Sequence, residues 1–285
     1  MRGNRRKGLL VAAAVLFVWA IPASFRAQDS HAREPSGIQD NSFLVEEAYN
    51  QERGVVQHIQ TFERTRSGAW MYAFTQEWPV GDETHQLSFM VPVDRALSAS
   101  GWNEGPGDVA LNYRYQLLGD GEARVAVSPR ITVLLPTGSE RHALGAGGTG
   151  LQLSLPVSTV LFPWLVAHWN AGLTYVHFAR NEEGDRAPTR TWSFGQSFVW
   201  LTRRNLNFLV ETVWTRAEAV SSPGRTSRSR TLLVSPGVRW AWNRPEGVQI
   251  VPGIAFPLGV GSSWGERSVL LYFSLEHPLQ KPSSP

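Results

Sequence analysis

Residues 123–135 read ARVAVSPRITVLL. Ala123, Val125, Val127, Pro129, Ile131, Val133 and Leu135 alternate with Arg124, Ala126, Ser128, Arg130 and Thr132. An apolar residue at every second position marks a strand with one apolar face, because successive side chains of a strand point to opposite sides. The other face here carries two arginines. The same pattern recurs on both sides. Val109, Leu111, Tyr113, Tyr115 and Leu117 form one face of the preceding segment, and Leu151, Leu153, Leu155 and Val157 one face of the next. It returns in Leu232, Val234, Pro236, Val238, Trp240 and Trp242, and in Val269, Leu271, Phe273 and Leu275.

Twelve such segments can be laid out, near 54–65, 69–80, 85–94, 107–118, 123–135, 149–161, 165–179, 189–202, 205–216, 230–243, 247–260 and 267–278. Connections after even-numbered segments are short, such as GDET at 81–84 and GDGE at 119–122. Most after odd-numbered segments are longer: 95–106, 136–148, 180–188 and 217–229. Short turns at one end and long loops at the other are the arrangement of outer-membrane barrels, and they place both termini in the periplasm. The fold class expected is all-β: a transmembrane antiparallel up-and-down barrel of about 12 strands over 54–280, with a tail at 281–285.

Tryptophan supports this reading. Trp70 and Trp78 share a face eight residues apart, and Trp192 and Trp200 repeat that spacing. Eight residues at roughly 3.3 Å, tilted by about 45°, rise roughly 19 Å, which approaches the height of a lipid-facing band. Trp164, Trp240 and Trp242 lie beside short turns and Trp214 lies at the other end. These eight are the expected aromatic girdle.

Arg2, Arg5, Arg6 and Lys7 precede an apolar run from Gly8 to Ala23, the form of a signal peptide, with cleavage expected near Ala27. Without the leader's five basic residues the chain holds 22 basic and 24 acidic side chains, a net charge of −2. The basic isoelectric point is therefore no argument for nucleic acid. The absence of cysteine excludes disulfides, thiolate metal sites and a lipidated N-terminal Cys. Past the leader no apolar run of 18 residues occurs, so a membrane location requires a closed barrel. Residues 28–53 read as a periplasmic lead-in or a plug. Phe43, Leu44, Val45 and Tyr49 are apolar and need cover, and 43–51 fits either a short helix or an extra strand.

The face opposite the apolar one is polar. Asp108, Asn112, Arg114, Arg124, Arg130, His168, Glu211 and Arg239 are its candidate pore-lining residues. Buried in a narrow lumen, such groups must pair with each other or with water. They either form a ladder that holds the barrel's shape or line a conduit selective for charge and hydrogen bonding. Arg114, Arg124 and Arg130 are expected to form a basic strip, partly neutralised by Asp108 and Glu211.

Gly145 to Gly150 fits G-x-G-x-x-G, but a dinucleotide site needs a helix after it and LQLSLPVS alternates as a strand. The histidines lack metal-ligand spacing, and no local motif sets an activated serine beside one. No cofactor, metal or enzyme activity is expected. Arg225, Arg228 and Arg230 read as a solvated loop or as contacts to lipopolysaccharide phosphates.

Four stretches carry a family likeness: FLVEEAYNQERGVVQHI at 43–59, GPGDVALNYRYQLL at 105–118, PRITVLLPTG at 129–138 and the Gly-rich loop with GLQLSLPVS through 158. Through them the chain resembles the outer-membrane transporter family named for the MetA pathway of phenol degradation. The resemblance implies an exported barrel concerned with aromatic or other hydrophobic compounds, and it supplies no catalytic or binding residues. The chain departs from a common barrel habit by ending in HPLQKPSSP rather than an aromatic residue. The leading expectation is a monomeric channel or transporter for small solutes in the bacterial outer membrane. Its expected partners are outer-membrane lipids, lipopolysaccharide, the solute and the assembly machinery. A non-conducting structural or surface-interaction barrel and a membrane-embedded lipid hydrolase are the alternatives.

Overall fold

The computed structural model describes residue 38 and residues 41–244 and 247–279. The leader, the tail and the 28–40 stretch apart from Ile38 lie outside the described residues. Strand segments follow in the order β1 (Val55–Thr65), β2 (Trp70–Val80), β3 (Asp82–Ser98), β4 (Gly101–Pro106), β5 (Val109–Tyr115), β6 (Val125–Val127), β7 (Arg130–Leu135) and β8 (Gly150–Phe162). Then come β9 (Leu165–Arg180), β10 (Arg186–Arg203), β11 (Leu206–Ser222), β12 (Arg225–Trp240), β13 (Trp242–Asn243), β14 (Gln249–Ala255), β15 (Leu258–Gly259) and β16 (Ser268–Pro278).

Every pairing is antiparallel, and β1 pairs with β16 from Val55↔Pro278 to Thr65↔Ser268, which closes the sheet. Four barrel strands are each broken into two segments, at Gly107–Asp108, Ser128–Pro129, Ala241 and Phe256–Pro257, so the wall has twelve strands. Two of these breaks hold a proline, which has no N–H to give to a ladder.

The alternation decides which way each strand faces. Leu111, Ile131 and Leu153 lie side by side across β5, β7 and β8, and all three are about half exposed (46%, 48% and 50%). With Leu151, Leu155, Phe194, Phe208, Leu271 and Phe273 they make an exposed apolar band far larger than a soluble surface carries. Their intervening neighbours Asn112, Thr132, Ser158, Ser197, Glu211 and Ser235 are buried inside.

The described structure corrects three expectations. The stretches 95–106 and 217–229 are not long loops. Strands β3 and β4, and β11 and β12, continue as paired hairpins joined by two-residue turns. Segment 180–188 likewise shortens to a turn between Arg180 and Arg186. Their polar residues hid strands that run on beyond the apolar band, where neither face needs to be greasy. Residues 41–51 are neither helix nor strand. The loop at 136–149 does persist, and it is tightly built. Asp108 accepts from the backbone N–H of Gly138 (2.9 Å) and of Ala146 (2.7 Å). A Cβ at Gly138 would stand 2.2 Å from the Leu144 carbonyl oxygen, and one at Gly145 2.5 Å from an Asp108 carboxylate oxygen. These glycines serve close packing, and strand β8 follows them.

Candidate functional site

An irregular backbone has its N–H and C=O groups unpaired, and at membrane depth something must satisfy them. Residues 41–51 meet this demand from side chains of the inner wall. The Glu211 carboxylate on β11 accepts from the N–H of Leu44 (2.8 Å) and Val45 (2.9 Å). On β9, Asn170 accepts from Glu46 N–H at 2.7 Å and donates to the Glu46 carbonyl at 2.9 Å. Ala48 N–H donates to Ser158 Oγ on β8 (2.7 Å), and Asn50 N–H to Gln116 (2.9 Å). Gln51 N–H donates to Gln86 on β3 (2.7 Å), and Ser42 bonds Ser197 on β10. Strands from all round the barrel therefore hold one segment that runs through its interior.

Arg114 is the centre of the polar side and is almost fully buried. Its guanidinium donates to Asn50 Oδ1 (2.9 Å), the Glu47 carbonyl (3.2 Å), the Tyr49 carbonyl (2.7 Å) and Gln86 (3.2 Å), and lies 3.9 Å from Glu77. Arg130, opposite Arg114 in the β5–β7 register, forms an ion pair with Glu46 and donates to Gln152 (2.9 Å). The other side of the lumen is apolar. Ile59, Val199, Leu209, Val251, Leu270 and Tyr272 cluster with Phe43, whose ring lies 5.2 Å from that of Tyr272. Gly237 and Gly253 make the niche for that ring, since a Cβ on either would stand 2.6 or 2.5 Å from it. Gly195 makes similar room for Val45.

The candidate lining residues divide. Asn112, Arg114, Arg130, His168, Glu211 and Arg239 are inside. Asn112 links Ser88 and Thr132, His168 bonds Ser158 (2.7 Å), and Arg239 donates to the Asn41 carbonyl. Arg124 does not join the basic strip. Strand β6 starts only at Val125, so Arg124 is exposed at the short-turn rim and donates to the Val160 carbonyl. Asp108 is held in the 136–149 loop, and Glu211 caps the segment from the far wall. Neither neutralises Arg114. Instead Glu77 and Glu46 face the two strip arginines. Sequence reasoning passed over Glu46, Asn50, Ser158, Ser197 and the three niche glycines. Glycine inside an alternating strand, which marks close approach by another group, was the available signal.

The eight tryptophans lie on the outer face. Trp78, Trp164, Trp200, Trp240 and Trp242 lie toward the short turns. Trp70, Trp192 and Trp214 lie farther along their strands, with Trp214 paired to Phe194. At the short-turn mouth a cavity of about 480 Å³ opens beneath the segment, lined by Glu47, Tyr49, Glu83, Arg204, Arg244 and Glu276.

Fold and interior together define a transmembrane β-barrel of the outer-membrane type with its lumen occupied by its own N-terminal residues. Neither a protein-family model nor a curated protein matches the sequence. Among solved structures the chain is similar to the COG4313 outer membrane channel from Pseudomonas putida F1, with a TM-score of 0.62 at 13% identity over 80% of this chain and 97% of that one. It is also similar to the NanC porin, with a TM-score of 0.52 at 11% identity over 76% and 98% of the two chains. At these identities the likeness concerns the fold.

Proposed function

We propose that this protein is a monomeric channel of the bacterial outer membrane for small solutes, and that residues 41–51 form a plug which must shift before anything passes. The observation that carries the reading is how the segment is held. It is not a thirteenth strand but a chain tethered by separate side-chain hydrogen bonds, which can be exchanged for water. A core meant only to fill the barrel has no need of a backbone routed through it. The two solved structures named above carry channel or porin names, which agrees with this reading.

The apolar wall supports an aromatic solute. Withdrawing Phe43 would leave a ring-sized niche between Gly237, Gly253 and Tyr272, suited to a small aromatic compound. The resemblance to the MetA-pathway transporters points the same way. The polar wall around Arg114 would bind a hydroxyl or carboxylate on that compound. The second reading, a structural barrel, draws on the same filled lumen.

A hydrolase is disfavoured by where its parts lie. Ser158 and His168 bond each other inside the lumen under Ala48, and Ser139 and His142 (3.0 Å) bond within a single 3-10 turn. Among the described residues no carboxylate bonds either imidazole, so the orienting third member is missing. Assembly would rest on β16, whose Val269, Leu271 and Phe273 face outward.

The test is planar-bilayer conductance of the refolded chain without its leader, compared with the same chain lacking 28–50. Larger, more frequent openings after deletion, blocked by simple phenols, are expected. A folded deletion variant that stays silent would make this a structural barrel.

A further inference from the structure

On the outer face, beyond the apolar band on the side away from the short turns, arginines gather. Strand β11 places Arg216 directly opposite Trp192 on β10 and Arg230 on β12. Two positions earlier on β10, Arg190 stacks over Tyr175, 5.8 Å from its ring centre. Arg228 pairs with Glu218 at 3.0 Å, so the one carboxylate in the group is already engaged. Among the described residues, Arg190, Arg216 and Arg230 form no ion pair. Like charges set directly opposite on antiparallel strands repel. Arg216 and Arg230 face each other in this way, and Trp192, Trp214 and Leu232 next to them anchor the group at the edge of the lipid band.

We infer that Arg190, Arg216 and Arg230 form a site for the phosphate groups of a glycolipid in the outer leaflet. The short turns, the start of β1 at Val55 and the end of β16 at Pro278 share one side of the barrel, and taking that side as periplasmic puts this cluster at the cell-surface rim. A phosphate there accepts hydrogen bonds from planar guanidinium forks and relieves their mutual repulsion. The acyl chains of the same molecule lie along Trp192, Phe194 and Trp214. The sequence suggested Arg225, Arg228 and Arg230 for this role. The structure moves it, because Arg228 is taken by Glu218 while Arg190 and Arg216 come from neighbouring strands. This inference depends on the barrel and its orientation and not on conduction.

The test uses the refolded barrel in detergent, equilibrated with equal amounts of bis-phosphorylated lipid A and its dephosphorylated form. Bound lipid is then counted by native mass spectrometry. The parent should retain the phosphorylated form at least about tenfold over the other, as two or three charge-assisted contacts imply. The R190Q/R216Q/R230Q variant should lose that preference, and Arg228→Gln should keep it. If the triple variant does not fold, Arg230→Gln alone, at an exposed position, should lower the preference about two- to threefold. Equal retention of both lipids by the parent, or an unchanged preference in the arginine variants, overturns the inference. Loss of the preference on adding millimolar inorganic phosphate also overturns it, since the site would then take free phosphate rather than a lipid.

Discussion

Replacing Arg114 by alanine removes three hydrogen bonds to the 41–51 segment, the proposed plug, at once: those to Asn50, to the Glu47 carbonyl and to the Tyr49 carbonyl. Hydrogen bonds to a charged group contribute roughly 1.5–3 kcal/mol each, but shared contacts are not additive and water can enter the space left behind. A net loss of about 3–5 kcal/mol for the docked state is reasonable, and at about 1.4 kcal/mol per decade the undocked fraction rises by roughly a hundred- to a few thousandfold. The chain has no cysteine, which permits a direct assay. Ala48 is fully buried against Ser158, so an Ala48→Cys side chain reacts with a membrane-impermeant maleimide only while the segment is out. When redocking is fast, the labelling rate follows the undocked population. The Arg114→Ala background should therefore label faster by the factor above. Arg124→Ala, whose parent side chain bonds only the rim carbonyl of Val160, should not. A rate within twofold of the parent, in a variant that still migrates as a folded barrel, would refute the claim that Arg114 holds the plug.

Two further substitutions probe the niche and the loop. Gly237→Val places a Cβ 2.6 Å from the Phe43 ring and should cost roughly 1–3 kcal/mol by overpacking, with most of it recovered by adding Phe43→Ala. Urea unfolding of the four chains of that cycle measures the coupling, and additive effects would mean Phe43 does not occupy the niche. Asp108→Ala leaves the N–H groups of Gly138 and Ala146 without their acceptor, so tryptic cleavage at the exposed Arg141 should quicken about tenfold while barrel melting stays the same. A fall in barrel melting that accompanies the faster cleavage would place Asp108 in the wall rather than in the loop.

The wall was legible because a barrel writes itself as alternation. Ile131 and Thr132 point to opposite faces for the same reason that they adjoin in sequence, and the register carries that choice to Leu153 and Gln152. The hairpin ends were not legible. Apart from Ala217, Ala219 and Val220, residues 217–229 are polar, glycine or proline once the strands leave the apolar band, and such a strand in water has little period to read. That residues 43–49 want cover was legible from their apolar side chains, but the path of the 41–51 segment through the lumen was not. An irregular segment has no repeat of its own, and its contacts are spread over residues far apart in the chain.

The same fact bears on how the proposed plug would leave the lumen. Most wall side chains that hold the segment bond mainly to its backbone: Glu211 to two N–H groups, Asn170 to both groups of Glu46, Arg114 to two carbonyls. Backbone bonds are indifferent to side-chain identity, so the wall specifies where the segment lies more than which residues compose it. Two kinds of contact do specify residues. One is Phe43 in its glycine niche, on the apolar wall. The other is the pair formed by Glu46 with Arg130 and Asn50 with Arg114, on the polar wall. A solute able to undock the segment must replace both kinds, with a ring for the first and an acceptor for the second. A phenolic or aryl-carboxylate compound offers both in one small molecule. An aliphatic hydrocarbon or a sugar offers only one, and by this reasoning should leave the plug in place.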